Sequence, residues 1–465
     1  MGNSVSSCQK QPQACQVKNN QSRGERRCRL MLTAALLCVG AIQPLQAGEF
    51  AYGLGYTAEH SDNIFRVSTN EQSDTIHSLT AGFAYQEKSI DLVARIIGQA
   101  TYNTYQQDSF GDETLFDLDS SVVWTISPQR FFWTLVDRST QGLLNSTSAD
   151  TPANRSNFNV LSTGPDFYLR ISPVQTLSFG ARASDVYTGR ANFDNKRFRS
   201  TAGWLYQSSP ITTLSLNYQA EKVKYDDSLL YDDYTNEEIF LRADFRPSRS
   251  QYLIDLGVTN INYNRGNDVS GSLARLSWIR QSTPESSFGA SIRKEFSDAG
   301  RAALDTALPV SQGAASTINA DVYTTKGGNV FYNHRGSQFG VQFQAEKRKL
   351  DYETTPQDRD ETYGLLELKY FFVSATTVTL FTEYTRTKYL NIVLRNTDQT
   401  TGLRLDYFAT RSVSLGLEGR HIERDSTDPL SSYVDNRVLF TIQYSSGPLF
   451  TQLRNEPQFT PARSI

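Results

Sequence analysis

Apolar and polar residues alternate along nearly the whole chain, from about residue 50 to residue 444. The segment 339–345, Phe-Gly-Val-Gln-Phe-Gln-Ala, shows the pattern: its apolar residues share one parity, and its glycine and glutamines share the other. Successive side chains of a β-strand point to opposite faces, so such a segment has one apolar face and one polar face. The sequence sustains no helical period. This pattern predicts an all-β chain.

Tight turns separate these segments, and they alternate with longer, acidic connections such as 225–236 and 298–315. Prolines and small polar residues suit tight turns because they fix φ or form local hydrogen bonds. Nine such turns predict twenty strands, and eighteen is the alternative because the region 298–337 is ambiguous. The predicted turns are Glu87-Lys88, Ser127-Pro128, Ser172-Pro173, Ser209-Pro210, Arg246-Pro247-Ser248, Thr283-Pro284, His334-Arg335-Gly336, Val373-Ser374 and Ala409-Thr410.

The apolar face has the texture of a lipid-facing surface. Segments such as 252–258 and 438–444 carry aliphatic residues centrally and aromatic residues near an end, as the interfacial girdles of membrane barrels do. A soluble β-propeller or β-solenoid is the alternative, but no repeat of four strands is present. Short turns at one end and long loops at the other predict a transmembrane, antiparallel, up-and-down β-barrel of 18–20 strands in the cell outer membrane.

The first residues predict a leader with a signal peptide. Arginines from Arg23 to Arg29 precede the apolar run 30–42, and Ala47 offers a small residue for cleavage before Gly48. All four cysteines lie in this leader, which excludes a disulfide framework and a cysteine-based metal site from the mature chain. The leader carries six basic residues and one acidic residue, so its removal changes the formal charge from −3 to −8. A negative chain argues against nucleic acid as a partner.

The sequence therefore predicts three parts: the leader 1–47, one barrel domain over 48–445, and a C-terminal segment 446–465. Outer-membrane barrels usually end on an aromatic residue, whereas this chain ends on Ile465. The C-terminal segment is either a periplasmic tail or an extension of the last strand, for which 438–444 is the best internal candidate.

The polar face carries charged residues of both signs. Charges this frequent would be costly in a dry core but cost little beside water, and a barrel of this width is too wide to be filled by its own side chains. We therefore predict a hydrated lumen with weak charge selectivity. The predicted lumen-lining residues are Asp91, Arg95, Asp117, Asp119, Arg182, Glu221, Asp255, Arg293, Glu295, Glu346, Glu367, Lys369, Arg404, Asp406, Glu418 and Arg420.

The acidic connection 225–236 allows further interpretations. Tyr225, Tyr231 and Tyr234 could stack on sugar rings while the carboxylates between them accept hydroxyl hydrogen bonds. The alternative is an aromatic girdle just above the bilayer. The carboxylates could also bind a divalent cation loosely, although such a run is more often a solvated loop facing lipopolysaccharide.

The sequence offers no catalytic or cofactor site. The four histidines, at 60, 77, 334 and 421, have no nucleophile nearby in a distinctive setting. A P-loop, a dinucleotide fingerprint and a metal-spaced histidine pair are all missing from the sequence. We therefore predict a protein that is not an enzyme and that needs no cofactor and no metal.

One stretch breaks the alternation. Phe158 and Val160 share one parity, whereas Phe167 and Leu169, after Gly164-Pro165, share the other. A proline removes a hydrogen bond from the ladder, and a closed barrel has no edge strand to hold it. We therefore predict a β-bulge at Gly164-Pro165.

The same region carries distinctive short sequence motifs. They are Asp137-Arg138-Ser139, the run 151–160 (Thr-Pro-Ala-Asn-Arg-Ser-Asn-Phe-Asn-Val) and the run 162–166 (Ser-Thr-Gly-Pro-Asp), together with Asp62-Asn63-Ile64-Phe65-Arg66 and Ser73-Asp74 near the start of the barrel. In these motifs the chain resembles the outer-membrane β-barrel porins associated with exopolysaccharide operons, the EpsL-like group. The resemblance implies a porin-like barrel that assists exopolysaccharide export, with the exopolysaccharide and a periplasmic polysaccharide export protein as partners.

Two other functions stay open from the residues themselves. A general diffusion porin for small solutes predicts a constriction loop folded into the lumen, and the loop 298–315 is long and apolar enough for this. A barrel enzyme that modifies the polymer would need clustered His, Ser and Asp at one loop rim. Outer-membrane lipid and lipopolysaccharide are the expected surroundings in each case.

Overall fold

The computed structural model of the chain describes residues 48–304, 319–372 and 375–447. Twenty antiparallel strands pair in sequence order, and the last strand pairs with the first, which closes the sheet into a barrel. The all-β fold class is confirmed, and the strand count is twenty and not eighteen. The predicted leader 1–47 and nearly all of the C-terminal segment lie outside the described residues.

The strands have nearly uniform lengths of 12–18 residues. Their bounds are β1 Glu49–Ser61, β2 Asp74–Lys88, β3 Leu92–Tyr105, β4 Glu113–Ser127, β5 Phe131–Leu143, β6 Arg155–Ser172, β7 Gln175–Tyr187, β8 Asn195–Ser209, β9 Thr212–Tyr225, β10 Tyr234–Phe245, β11 Ser250–Tyr263, β12 Val269–Thr283, β13 Ser286–Ser297, β14 Tyr323–Arg335, β15 Phe339–Tyr352, β16 Arg359–Phe372, β17 Thr376–Tyr389, β18 Arg395–Phe408, β19 Val413–Ser426 and β20 Tyr433–Ser445.

The connections alternate in length as the sequence predicts. Eight of the nine predicted tight turns lie at the junction of an even-numbered strand with the next strand; the ninth, Val373-Ser374, falls in the same kind of junction but lies outside the described residues. Within the described residues, the long connections contain three short 3-10 turns, Pro152–Asn154, Gly189–Ala191 and Pro429–Ser431, and one helix, α1, Ala299–Leu304. In the described part of the chain, no helix is long and apolar enough to cross a membrane.

One face of the sheet is apolar and exposed. In β1 and β20, Leu54 lies opposite Tyr444 and Tyr56 lies opposite Ile442 on this face, and each of the four side chains is 36–55% exposed. So much exposed apolar surface is incompatible with water but fits the hydrocarbon layer of a bilayer. The opposite face carries charged residues of both signs. A closed barrel with an apolar outer belt is the architecture of outer-membrane proteins, and this chain is an outer-membrane β-barrel.

The predicted β-bulge at Gly164-Pro165 is wrong. β6 runs without interruption, and its register with β5 continues through the pairs Thr134–Gly164 and Trp133–Pro165. The pairing with β7 skips these two residues without a change of register. Phe158 and Val160 point into the barrel, where they are buried, and the later apolar residues of β6 point to lipid. The sequence pattern changes because the interior is apolar at the outer end of β6.

Gly164→Ala is expected to destabilise the barrel. A Cβ at Gly164 would lie 2.0 Å from the carbonyl oxygen of Ala181 on β7. Because this atom belongs to the backbone, the two strands would have to separate, and overpacking of this kind costs about 1–3 kcal/mol or more. Urea unfolding in detergent measures the change. Gly419→Ala is the control, because its added Cβ meets nothing within 4 Å; equal unfolding midpoints for the two variants would contradict the prediction.

Candidate functional site

The strand register places fifteen of the sixteen predicted lumen residues on the inner face, opposite the exposed apolar residues. The exception is Asp91, which lies in the tight turn before β3 and not on a strand. Because Asp91 is not part of a strand, the alternation of side chains along a strand does not assign it to the lumen. That the other fifteen contact a solute remains a prediction.

Charged residues of the inner face bind one another, both between strands and along a single strand. Glu418 binds Arg404 at 2.6 Å and Arg420 at 2.5 Å. Lys369 binds Glu367 at 2.6 Å on the same strand. Further pairs join Arg95 with Asp119 and Arg348 with Glu361 between neighbouring strands, and Arg293 of β13 with Glu346 of β15 across the intervening strand. The inner wall is thus lined by ladders in which positive and negative groups alternate.

The chain after β13 folds into the barrel. Asp298 is only 4% exposed, and its carboxylate accepts two hydrogen bonds from the Arg197 guanidinium of β8, at 3.0 and 2.5 Å. The Tyr234 hydroxyl of β10 donates to the same carboxylate at 2.8 Å. Asp298 also accepts from the backbone N–H of Gly300 at 2.9 Å, which caps the start of α1. We call residues 298–304 the inward segment.

A second buried ion pair holds the inward segment from its other side. Arg301, 3% exposed, binds Glu238 of β10 at 2.6 Å, and Glu238 is 1% exposed. Arg275 of β12 lies 3.5 Å from the same carboxylate. A buried ion pair persists only with good geometry and further hydrogen bonds. These contacts therefore fix the position of α1 against the wall β8–β12.

The inward segment also reaches β5, which lies eight strands from β13, the strand that the segment follows. Arg138 of β5 donates to the backbone carbonyl oxygens of Ala303 and Leu304, at 2.7 and 2.8 Å. These are the last two carbonyls of α1, so the cation lies where the last turn of a helix leaves its acceptors open. The segment that leaves the wall at β13 therefore extends across the interior to β5.

Apolar side chains fill the space between the inward segment and the wall. Ala299, Ala303 and Leu304 pack against a buried cluster contributed by β6, β7, β9, β10 and β11, the loop before β8, the end of β13 and the chain just before β14. The Tyr225 hydroxyl donates to the backbone carbonyl of Ala320 at 2.7 Å and holds the returning chain. The buried members are Phe158, Val160, Val186, Phe193, Val223, Tyr225, Tyr234, Ile261, Phe296 and Val322. The outer end of the lumen is therefore packed with apolar side chains along this side.

Gly300 is the residue that lets the segment dock. A Cβ at this position would lie 2.5 Å from Nη2 and 2.6 Å from Cζ of Arg197. Because Arg197 is itself 4% exposed and bound to Asp298, its guanidinium has no room to move aside. A larger residue at 300 would separate α1 from β8.

Tyr225 and Tyr234 are not placed where the sequence interpretation put them. Both point into the barrel, and they are only 6% and 3% exposed, so neither presents a ring face for a sugar or forms a girdle around the outside. Tyr231 is half-buried and packs edge-on against Phe193. The Tyr234 hydroxyl binds the inward segment at Asp298, and the Tyr225 hydroxyl binds the returning chain at Ala320.

The carboxylates of the same connection do not converge. Asp232 accepts from the backbone N–H groups of Arg265 and Gly266, Asp233 accepts from the N–H of Tyr225, and Glu238 faces Arg301 inside the barrel. Among the residues that the structure describes, no group of three or more His, Cys, Asp or Glu side chains could hold a metal ion. This placement lends no support to the cation-binding interpretation.

Acid is expected to release the inward segment between about pH 4 and pH 2. Burial alone would raise the pKa of the Asp298 carboxyl, but the Arg197 guanidinium and the hydrogen bonds outweigh burial and lower that pKa from 3.8 to about 2. A lowered pKa means that the docked state is stabilised fully above pH 4 and loses this contribution as the pH falls towards 2. Single-channel conductance should therefore rise over this window, and Asp298→Asn should show no step there. A wild-type conductance that stays constant from pH 5 to pH 2.5 would contradict this mechanism.

No family model matches the chain, and no curated protein matches it. Among solved structures, the siderophore receptor PirA from Pseudomonas aeruginosa is 9% identical with a TM-score of 0.43, over 85% of this chain and 80% of that one. OccK2 (OpdF) from Pseudomonas aeruginosa is 9% identical with a TM-score of 0.36, over 86% and 99%. OccAB4 from Acinetobacter baumannii is 9% identical with a TM-score of 0.34, over 87% and 100%. The barrel assignment rests on this chain's own strand pairing, and these likenesses add no argument about function.

Proposed function

We propose that the protein is a passive outer-membrane channel for small, hydrated solutes, a diffusion porin whose lumen is narrowed by the inward segment. The observation that carries this proposal is the docking of residues 298–304 inside the barrel through the buried pairs Arg197–Asp298 and Arg301–Glu238. A constriction of this kind is what a diffusion porin requires to exclude large solutes. The chemistry is binding and exclusion, without turnover.

The charged ladders supply the mechanism of passage. A solute that enters loses part of its water shell and exchanges it for hydrogen bonds to the arginines and carboxylates of the inner wall. Because Glu418 lies between Arg404 and Arg420, and Glu346 between Arg293 and Arg348, the potential along the wall changes sign over short distances. Such a wall favours polar and zwitterionic solutes and selects only weakly between anions and cations.

Planar-bilayer recording of the refolded mature chain tests this function. We expect steady openings, a reversal potential close to zero in a salt gradient, and passage of small sugars but not of large dextrans in liposome swelling. A barrel that passes large dextrans would contradict the constriction. A barrel that stays silent in salt at neutral pH would contradict the channel itself.

A second candidate is assistance in exopolysaccharide export, which the residues 137–139, 151–160 and 162–166 suggest by their resemblance to porins of exopolysaccharide operons. One observation favours it: three residues of those motifs contact the inward segment or the cluster beneath it. Arg138 donates a hydrogen bond to the segment, and Phe158 and Val160 belong to the cluster against which it packs. In this proposal a periplasmic polysaccharide export protein delivers the polymer, and the inward segment leaves the lumen while the polymer passes.

One experiment distinguishes the two candidate functions. Purified exopolysaccharide added to the bilayer chamber should block the openings if the barrel is a polymer conduit. Openings that are indifferent to the polymer, combined with size-limited passage of small sugars, support the diffusion porin and count against export.

A further inference from the structure

The lipid-facing side of β13 to β17 carries a group of basic residues at its outer end. Lys326 shares its face of β14 with the exposed residues Val330 and Tyr332, and Lys347 shares its face of β15 with Phe343. Six basic residues lie on this outer wall with only two acidic residues among them. The basic residues are Lys294, Lys326, Lys347, Lys349, Arg386 and Lys388, and the acidic ones are Asp351 and Asp360.

Three of the lysines face each other directly across the strands. Lys326 of β14 lies in register with Lys294 of β13 on one side and with Lys349 of β15 on the other. Like charges in directly opposite positions destabilise a sheet. Asp351 offsets part of this repulsion, because its carboxylate binds Lys326 at 3.0 Å and Lys349 at 2.7 Å. A positive surplus remains on the outer wall of a chain whose formal net charge is −3.

A groove opens beside these lysines. Gly327 and Gly328 carry no side chain, so the wall is thin here, and Ile292 stands at its edge with 65% of its surface exposed. The groove has a volume of about 430 Å³, and it combines an apolar floor with a cationic rim. Its lining residues are Ile292, Lys326, Gly327, Gly328, Lys347, Arg348, Lys349 and Asp360.

The groove lies at the outer border of the membrane. Lys347 follows Phe339, the first residue of β15 at the tight-turn end, by eight positions. A rise of about 3.3 Å per residue and a strand tilt of about 40° place Lys347 about 20 Å above Phe339 and Lys349 about 25 Å above it. Since the apolar belt of such barrels is about 25 Å tall, Lys349 lies at its outer border, and the long side chain of Lys347 can reach the outer-leaflet headgroups from about 5 Å below that border.

We propose that this groove is a binding site for one molecule of lipid A, the phosphorylated glycolipid of the outer leaflet. Its phosphate groups would accept charge-assisted hydrogen bonds from Lys326, Lys347 and Lys349, and an acyl chain would lie along Ile292 and the glycine floor. Basic pockets at a bilayer surface are the usual recognition sites for anionic lipid headgroups. The apolar floor continues into the lipid belt and serves an acyl chain, which a free phosphate ion lacks.

Lipid A binding to the purified, folded barrel tests this site. The affinity of bisphosphorylated lipid A is measured by native mass spectrometry for the wild type and for the triple variant K326Q/K347Q/K349Q. Each basic residue near a charged surface contributes about fivefold in affinity, so we expect the triple variant to bind more than tenfold more weakly. Dephosphorylated lipid A should bind equally to both proteins, and inorganic phosphate should not compete.

The matched control is K196Q/K222Q/K224Q. These lysines also lie on the outer wall, and Lys196 faces Lys224 directly in register, but they are not part of the groove. Their replacement should change lipid A affinity less than threefold. An equal loss in the two triple variants would show general attraction of a basic surface and would overturn the proposed site, as would competition by inorganic phosphate.

Asp351→Asn gives an independent readout that does not depend on the folding of the triple variant. Removing this carboxylate frees Lys326 and Lys349 to bind phosphate, so lipid A should bind severalfold more tightly. If the two lysines serve only to pair with Asp351, the variant will show unchanged or weaker lipid A binding and a lower urea midpoint, and that result would overturn the proposal.

Discussion

Replacing Asp298 with alanine is expected to raise the single-channel conductance severalfold. Arg197, whose side chain is only 2% exposed, would then have Glu221 as its nearest acidic partner, at 3.9 Å. Removing one member of a buried ion pair costs about 3–5 kcal/mol, because the other charge stays buried without compensation. A helix of six residues has too little intrinsic stability to offset this loss. The inward segment should therefore leave the wall and widen the lumen.

Two further variants serve as controls for the Asp298→Ala measurement. Asp226→Ala removes an exposed acid from the connection between β9 and β10, and it should leave the conductance unchanged. The double variant Arg197→Met with Asp298→Leu replaces the ion pair with apolar groups of similar size, an exchange that buried pairs often tolerate. It should restore a conductance close to that of the wild type. An Asp298→Ala barrel with wild-type conductance would mean that the segment does not limit the passage.

The second large effect concerns the stability of the wall. Asp255 in the middle of β11 has a fully buried side chain that binds Arg242 at 2.7 and 2.8 Å and lies 3.6 Å from Arg275. Asp255→Ala leaves two cations facing each other with one carboxylate fewer between them. Because both arginines are a quarter to a third exposed, water compensates part of the loss, and we expect the free energy of unfolding to fall by about 2–3 kcal/mol.

Urea unfolding of the barrel in detergent micelles, followed by intrinsic fluorescence, measures this change. Asp425→Ala is the matched control: Asp425 pairs with Arg395 at 3.9 Å, but the two side chains are 69% and 41% exposed. Such a surface pair contributes little, so its removal should leave the midpoint within error of the wild type. Coinciding midpoints for the two variants would show that the inner ladders do not stabilise the wall.

The strand count and the two faces could be predicted from the sequence because both are local properties. A tight turn needs only a few consecutive residues, and parity along a strand decides which side chains share a face. For this reason Gln342 and Glu367, which lie directly opposite each other on β15 and β16, could be assigned to the inner face without a structure. The same argument failed at Phe158, because it assumed that every apolar residue of the barrel faces lipid.

The inward segment could not be predicted in detail because its contacts join distant parts of the chain. Arg197 and Asp298 are 101 residues apart, and Arg138 and Ala303 are 165 apart. Parity places Arg197 inside the barrel but does not say which residue it meets there. The local signal was an aspartate followed by Ala-Gly-Arg directly after a strand, which is compatible with a capped helix start and with a simple loop. The tyrosines at 225 and 234 were misplaced for the same reason.

The seam between β1 and β20 sets the order in which this wall can assemble. Each of the other pairings joins strands that follow each other along the chain, whereas at the seam Thr57 meets Thr441, 384 positions away. Neighbouring strands can pair as soon as their turn forms, but the seam has to wait for the last strand and bears nearly the whole entropy of ring closure. Until then the sheet has two open edges whose backbone groups cannot be satisfied in lipid. Insertion into the membrane is thus all or nothing, and it depends on the residues nearest the two ends of the barrel.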